Sequence, residues 1–400
     1  MSLPRQPFLK YILFRLLTGL ALLLIAAQCQ SPSTPPPPVT PAGSTVRLAL
    51  LTPSSGELAT FGRLLRNGSL MALAEWNDRG GLLDQRLEWT GYDSGCEFES
   101  GGQAARQAIA DGQQIIIGPL CSEAAIAAAA EAETAGVLLI SPTATHPLVT
   151  VNPQGQTRPT VFRVSHPYPA LGQAAARFAY DSLNLQKAAL VFDTNDPYAR
   201  DLAETFAGQL MQQGGEVVYQ GSYSPTQTDF TELLQAIRQA APEVIYLPLP
   251  VDIVNQLAGQ LHEFYTAPGS PPPPILLGSD SWDSPELDLE ATAGSYFTSQ
   301  LGPTDSTPAL RQWADAYRAA YAVEPDTLAI LGYEATHLLL TAIEQSGSLD
   351  PRLIAATMEQ DTFTGLTGEI SFDQRHNPRK PIPVLQVKDG QIQMIQTIQP

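Results

Sequence analysis

The sequence predicts an α/β fold of two lobes, each a parallel sheet wrapped by helices, and three observations carry that expectation. Short apolar strands alternate with helical stretches of about ten to fifteen residues, the pattern of βαβ units. The alternation breaks off in an irregular stretch, Thr150 to Thr160, which holds Pro153, Gly155 and Pro159, and then restarts. At 400 residues the chain is also too long for one core and fits two domains of ordinary size.

The first lobe opens with a strand from Val46 to Leu51 and a Pro/Ser/Gly loop, Thr52 to Gly56. A helix follows from Thr60 to Trp76, where Leu64, Leu65, Leu70, Met71, Leu73, Ala74 and Trp76 fall at helical spacing, and Gly80-Gly81 ends it. A second strand covers Arg86 to Asp93, and a second helix Ala104 to Ala110. Ile115-Ile116-Ile117 then reads as a short buried strand, Gly118-Pro119 as a breaker, and Ser122 as the hydroxyl cap of an alanine-rich helix, Glu123 to Ala130. A strand running straight into a helix N-terminus is a ready anion site, because the first helical N–H groups are unpaired and the macrodipole adds positive charge. An ordinary βα turn with a Ser N-cap has the same pattern, and most such turns are no more than that. Val137 to Ile140 continues the alternation.

After Val161-Phe162-Arg163-Val164 the second lobe repeats the scheme. Helices are expected over Ala170 to Leu183, Ala199 to Gln213 and Phe230 to Ala240, with a further one before the last strand of this series. Strands are expected at Ala188 to Phe192, Glu216 to Tyr219, Val244 to Leu247 and Ile275 to Gly278, with Pro271 to Pro274 as a rigid loop insert. Helices over Leu310 to Tyr321 and Leu328 to Glu344 follow, then Gly368 to Asp373 and strands at Pro383 to Val387 and Ile392 to Ile398.

The N-terminus stands outside this pattern. Arg5, Lys10 and Arg15 form a basic region ahead of an apolar run, Leu16 to Ala27, of signal-peptide length and short for a membrane span. Cys29 follows at once, an arrangement similar to a bacterial lipoprotein signal in which the cysteine is lipidated. Ala26 and Gln28 stand where such signals usually carry a leucine-like and a small residue, and ordinary cleavage near Ala27 is the alternative. Gln30 to Ser44, centred on Pro35 to Pro38, reads as a semi-rigid tether. Removing Cys29 leaves an even pair, Cys96 and Cys121, for which a disulfide is the default outside the cytoplasm.

Several chemistries lack a signal. A net charge of −18 without clustered Lys or Arg argues against nucleic acid. There is no phosphate loop, no dinucleotide fingerprint, no HExxH and no GxSxG elbow. His146, His166, His262, His337 and His376 are scattered, and Glu97, Glu99 and Glu123 fall on a loop and a helix start. No metal, no cofactor and no enzymatic activity is expected.

Taken in order, the segments Val46 to Gly56, Asn77-Asp78-Arg79-Gly80-Gly81, Gly118 to Ser122, Ile140 to Thr145, Thr228-Asp229-Phe230, Tyr333-Glu334-Ala335 and Gly368 to Asp373 resemble the leucine/isoleucine/valine-binding protein family. The resemblance covers Thr45 to about Ile395. It implies a type I periplasmic binding protein fold, two Rossmann-like lobes joined by a multi-crossing hinge, that closes on an amino acid and delivers it to an ABC importer. It also implies a disulfide between Cys96 and Cys121.

Carried over by position, Ser122 would take the ligand's α-carboxylate with its hydroxyl and N–H. Thr145 would add a hydroxyl and N–H, and Thr143 a backbone carbonyl. Phe61 and Tyr198 match aromatics that close over the ligand from the two lobes, and Asp280 matches the acid that binds the α-ammonium. One departure concerns Leu247-Pro248-Leu249-Pro250, which stands where the family brings a Gly- and Tyr-rich loop to the cleft. The ammonium then loses a partner, or Trp282 fills the space.

The organisation expected on this basis is a signal peptide (1–28), a tether (29–44), a first lobe (45–166 and 298–367) and a second lobe (167–297 and 368–400). The function expected is that of a monomeric, extracytoplasmic, lipid-anchored solute-binding protein that takes a small, aliphatic amino acid and docks on permease subunits. A ligand-sensing receptor module and an amide- or urea-binding protein of the same fold are the alternatives.

Overall fold

The computed structural model describes residues 45–224, 226–266, 269–303 and 307–400, so the expected signal peptide, tether and Cys29 lie outside the described residues. In the first half, β1 (Thr45–Thr52), α1 (Ala59–Asp78), β2 (Arg86–Asp93), α2 (Phe98–Ala110), β3 (Ile115–Ile117), α3 (Ser122–Ala135), β4 (Leu138–Ser141) and β5 (Val161–Arg163) alternate as expected. They build one parallel sheet in the order β2-β1-β3-β4-β5. Its inner strands are buried on both faces, which is why Ile115 to Ile117 and Leu138 to Ile140 are apolar without alternation.

The second half carries α4 (Tyr168–Arg177), β6 (Lys187–Phe192), α5 (Pro197–Gln212), β7 (Glu216–Ser222), α6 (Thr231–Ala240), β8 (Val244–Leu247), α7 (Val251–Thr266), β9 (Ile275–Gly278) and β10 (Tyr296–Thr298). Its parallel strands run β7-β6-β8-β9-β10, the same order as the first sheet. The chain then returns to the first lobe through α8 (Pro308–Tyr321), α9 (Thr327–Ser346) and α10 (Pro351–Gln360). Here α9 packs on α1 closely enough that a Cβ on Gly68 would lie 1.8 Å from the carbonyl oxygen of Ala329.

The last strands divide between the lobes. β11 (Phe363–Gly365), β12 (Gly368–Phe372) and β13 (Pro378–Arg379) form a small antiparallel sheet. Phe363, Ile370 and Phe372 join the first-lobe core, with Phe372 edge-on to Phe162 at 5.1 Å and His376 stacked on the same ring at 4.0 Å. The expected boundary at 368 is therefore corrected: the inward alternation of Ile370 and Phe372 holds residues 368–379 on the first lobe. Only β14 (Ile382–Lys388) and β15 (Gln391–Ile398) extend the second sheet, antiparallel beside β10.

Among the described residues, three stretches of chain thus cross between the lobes: residues 164–167, 299–301 and 380–381. The third is anchored by a buried ion pair, Lys380 Nζ to Glu334 Oε2 at 3.1 Å, and Glu334 Oε1 also accepts from the Thr367 N–H and hydroxyl at 3.1 and 2.6 Å. The helix α10 and the three-residue strand β10 were not anticipated from sequence. Asp350-Pro351, a cap followed by proline at the first helical position, was a usable signal for the former.

Candidate ligand-binding cleft

Both parallel sheets aim the carboxyl ends of their strands at one cleft, where open α/β sheets bind ligands. On the first-lobe side the turn after β3 is set by backbone. Gly118 has φ +112°, and a Cβ there would sit 2.1 Å from the Leu51 carbonyl oxygen at the end of β1. Cys121 is bonded to Cys96, with Cα atoms 5.1 Å apart, which ties this turn to the loop after β2.

Ser122 is not the helix cap that its sequence context suggests. Cys121 occupies the cap position and makes no side-chain capping bond, and Ser122 is the first helical residue. Its Oγ instead accepts from the His146 N–H at 3.3 Å. The first turn of α3 is thus left without a side-chain cap, and Ser122 is held against the loop after β4. In that loop Thr143 Oγ1 donates to the Leu120 carbonyl at 2.7 Å, and the Thr145 carbonyl accepts from the Tyr168 N–H at 3.1 Å. The buried Arg163 guanidinium donates to the carbonyls of Ala144 and Pro147 and to Thr150 Oγ1 at 3.0–3.1 Å, fixing the loop from beneath.

On the second-lobe side the wall is made of side chains. Asp280 follows β9 in a short 3-10 turn. The Tyr198 hydroxyl, from the first turn of α5, donates to Asp280 Oδ1, and Gln300 Nε2 donates to Oδ2 at 3.0 Å. Burial pushes the Asp280 carboxyl above the usual range, and these two hydrogen bonds offset part of that rise. Burial and the neighbouring carboxylate drive the Tyr198 phenol well above its usual value, so it stays a donor. Asp283 accepts from Ser299 Oγ at 3.0 Å and, across the lobes, from Thr327 Oγ1 at 2.8 Å. Asp326 caps α9 by accepting from the Ala329 N–H at 2.9 Å. Burial raises the pKa of both of these acids as well.

These groups surround a cavity of about 340 Å³. The first lobe supplies Phe61, Thr143, Asp326, Thr327, Leu328 and Leu331, the second lobe Asp280, Asp283, Ser284 and Pro285, and the middle crossing Gln300. Three of the expected site residues, Phe61, Thr143 and Asp280, are brought together in its wall, and Tyr198 reaches it through Asp280. Ser122 and Thr145 border the same loops but are not among the lining residues.

Trp282 is not brought there either, contrary to expectation. It is fully buried in the second-lobe core, its indole N–H donates to the Leu247 carbonyl at 3.0 Å, and its ring occupies the space that a Cβ on Gly278 would need. The proline loop Leu247 to Pro250 is pinned to this turn, since Ser281 Oγ donates to the Leu249 carbonyl at 2.8 Å.

Sequence reasoning missed Asp283, Gln300, Asp326 and Thr327. Only the last two carried a local signal, an Asp cap ahead of an apolar helix. Tyr246 was assigned to a strand, yet its hydroxyl is fully buried near Asp280 without a protein partner among the described residues. The lining holds three carboxylates and no lysine or arginine, and among the described residues these acids do not form a metal-ligand cluster. Among charged side chains the lining therefore offers partners only to a cationic group such as an ammonium.

A model of the periplasmic binding protein family matches residues 45–391. The chain belongs to that family. Among its curated relatives, a Leu/Ile/Val-binding protein of Rhizobium johnstonii is 27% identical over 319 residues, covering 79% of this chain and 83% of the relative. A leucine-binding protein of Thermotoga maritima superposes with a TM-score of 0.73 at 28% identity, covering 89% of this periplasmic binding protein and 99% of that chain. The branched-chain amino acid transporter substrate-binding protein LivJ of Streptococcus pneumoniae, solved with isoleucine, gives 0.73 at 25% identity, covering 89% and 100%.

Proposed function

We propose that this periplasmic binding protein is the extracytoplasmic solute-binding component of an ABC importer and that it captures a small amino acid between its lobes. The observation that carries the reading is the cavity itself, where a desolvated carboxylate of one lobe faces the hydroxyl-bearing loops of the other. A zwitterion fits such a site, because its ammonium meets a carboxylate and its carboxylate meets hydroxyls and the unpaired N–H groups of a helix start. The ammonium sits at Asp280, with Tyr198 and Gln300 holding that carboxylate. The carboxylate is directed to the uncapped first turn of α3, with the Ser122 and Thr145 hydroxyls beside it. Phe61, Leu328 and Leu331 offer apolar surface to an aliphatic side chain. The names of the relatives, for leucine, isoleucine and valine, agree with this ligand class.

Binding then proceeds by closure. The first lobe engages the carboxylate, and rotation about the crossings brings Asp280 onto the ammonium; the closed face is what permease subunits recognise. The ligand is carried unchanged, so no residue here acts as a catalyst. Cys29 serves as the lipid attachment point and residues 30–44 as the spacer that holds a monomeric body off the membrane.

Calorimetry with L-leucine, L-isoleucine, L-valine and L-alanine, beside acetamide and urea, tests the reading. Leucine is expected to bind, and Asp280→Ala to lower its affinity at least about a hundredfold, because a buried ligand charge is left unpaired. Equal affinity in the Asp280→Ala protein removes the ammonium assignment. Binding of acetamide or urea alone favours the amide-binding alternative. For the anchor, Cys29→Ser is expected to move the protein from the membrane fraction to the soluble one.

A further inference from the structure

We propose that Gln300 is a positioning residue for the ligand: it ties the Asp280 carboxylate to the backbone of the first lobe crossing and so sets the direction from which that carboxylate meets a cationic group. The proposal rests on the reading of Asp280 as the ammonium partner. Gln300 lies on the middle crossing, just beyond β10, and only 6% of it is exposed. Its Oε1 accepts from the backbone N–H of His166, on the first crossing, at 2.7 Å. That bond decides how the amide is turned, since the atom opposite a backbone N–H must be the oxygen. Nε2 then faces the other way, donating to Asp280 Oδ2 at 3.0 Å and to the His166 carbonyl at 3.3 Å. Both amide hydrogens and the amide oxygen are in use, so the side chain has one satisfied orientation.

Asp280 is consequently held at both oxygens, by Tyr198 from the second lobe and by Gln300 from the crossing. A carboxylate gripped at both oxygens keeps one orientation, and in that orientation Asp280 lines the cavity. The bland role for Gln300 is to staple two crossings together. That role needs Oε1 and the His166 N–H, but not the bond to Asp280.

The test reads the Asp280 carboxyl in the ligand-free full chain by NMR of [13Cγ]-aspartate, its resonance identified by its loss in Asp280→Asn. The titratable groups around it are Tyr198 of α5, Tyr246 of β8 and Asp283 in the following turn. The two phenols remain neutral across the acid range, and the Asp283 resonance, which burial raises as well, is followed beside that of Asp280 in every variant. In Gln300→Leu the lost donor is expected to move the Asp280 midpoint to higher pH. In Gln300→Glu, which keeps the oxygen facing His166, a second acid is placed against Asp280 and the midpoint is expected to rise further.

Leucine affinity at pH 7 is expected to fall about tenfold in Gln300→Leu, the loss typical of one hydrogen bond to a charged group. Should Gln300→Leu fail to fold, the near-isosteric Gln300→Glu carries the same decision. A lowered melting temperature with unmoved midpoints leaves only the staple and overturns the proposal. Moved midpoints with unchanged leucine affinity in Gln300→Leu overturn it as well. Unchanged affinity in Asp280→Ala is a separate failure, that of the ammonium reading.

Discussion

The two lobes share a strand order and differ in what they place at the strand ends. In the first lobe the wall is chiefly backbone: a glycine turn under the Leu51 carbonyl, a helix start without a side-chain cap, and a loop whose carbonyls are held by Arg163 and Thr143. In the second lobe the wall is side chain: Asp280, gripped by Tyr198 and Gln300, with Asp283 beside it. One topology therefore presents chiefly backbone dipoles at the strand ends of one face and ionisable acids at those of the other, while the first lobe's one lining acid, Asp326, comes from the α9 cap and not from a strand end. Topology chooses where the loops go, and a handful of strand-end residues choose their charge. The two walls should accordingly fail differently, the first through loss of fold and the second through loss of binding.

The sharpest way to break that contrast is Gly118→Ala. The added methyl meets the Leu51 carbonyl and the residue is forced to keep a left-handed φ, so a loss of about 4 kcal/mol is expected, read from the urea midpoint of unfolding. A loss below about 1 kcal/mol would mean that the turn has room to relax and that backbone does not set this wall. Next in size is the double variant Cys96→Ser/Cys121→Ser. Opening a loop with a sequence separation of 25 is expected to cost about 3 kcal/mol, checked by thermal unfolding with and without reductant.

What could be read from sequence follows the same division. The strand at Ile115 to Ile117 and its glycine turn were legible because periodicity and a breaker are local properties. Asp280 became a candidate only through resemblance, since Gly278-Ser279-Asp280-Ser281 reads locally as a turn. Trp282 was misplaced because sequence does not say which side of a 3-10 turn faces the core; the gap at Gly278 decides it. Gln300 was invisible, its partner His166 lying 134 residues away, and Thr327 meets Asp283 from 44 residues away. Such pairings are made by the crossings and leave no pattern along the chain. For residues 368–379 the alternation of Ile370 and Phe372 was readable, but the lobe that receives them was not.

On the second wall a substitution should stabilise the fold while it removes binding. Burial raises the pKa of Asp280, so the folded state binds that proton more tightly than the unfolded chain does. Its contribution to stability is complete below the unfolded carboxyl range and is lost as pH rises through the raised folded value. Asp280→Asn is thus expected to raise the stability of the ligand-free protein by about 1 kcal/mol at pH 7, an advantage over wild type that shrinks on acidification. Leucine affinity has the opposite sign in wild type, falling as acid neutralises the carboxylate. Melting curves and calorimetry from pH 7 downward check both, and an Asp280→Asn advantage or a wild-type leucine affinity that stays constant on acidification would sever the link between this acid and the ligand.

The smallest effect expected is that of Ser122→Ala, and it bears most directly on how the first wall works. The Ser122 hydroxyl accepts one long bond, 3.3 Å from the His146 N–H, so its removal should cost less than about 1 kcal/mol of stability. If the α3 N–H groups carry the ligand's carboxylate, they survive the substitution, and leucine affinity should drop about tenfold at most. Asp280→Ala removes a charge with no backbone substitute and should cost at least ten times more in the same titration. A Ser122→Ala loss equal to that of Asp280→Ala would show that the hydroxyl, and not the helix start, holds the carboxylate. The two walls would then be alike in depending on a single side chain each.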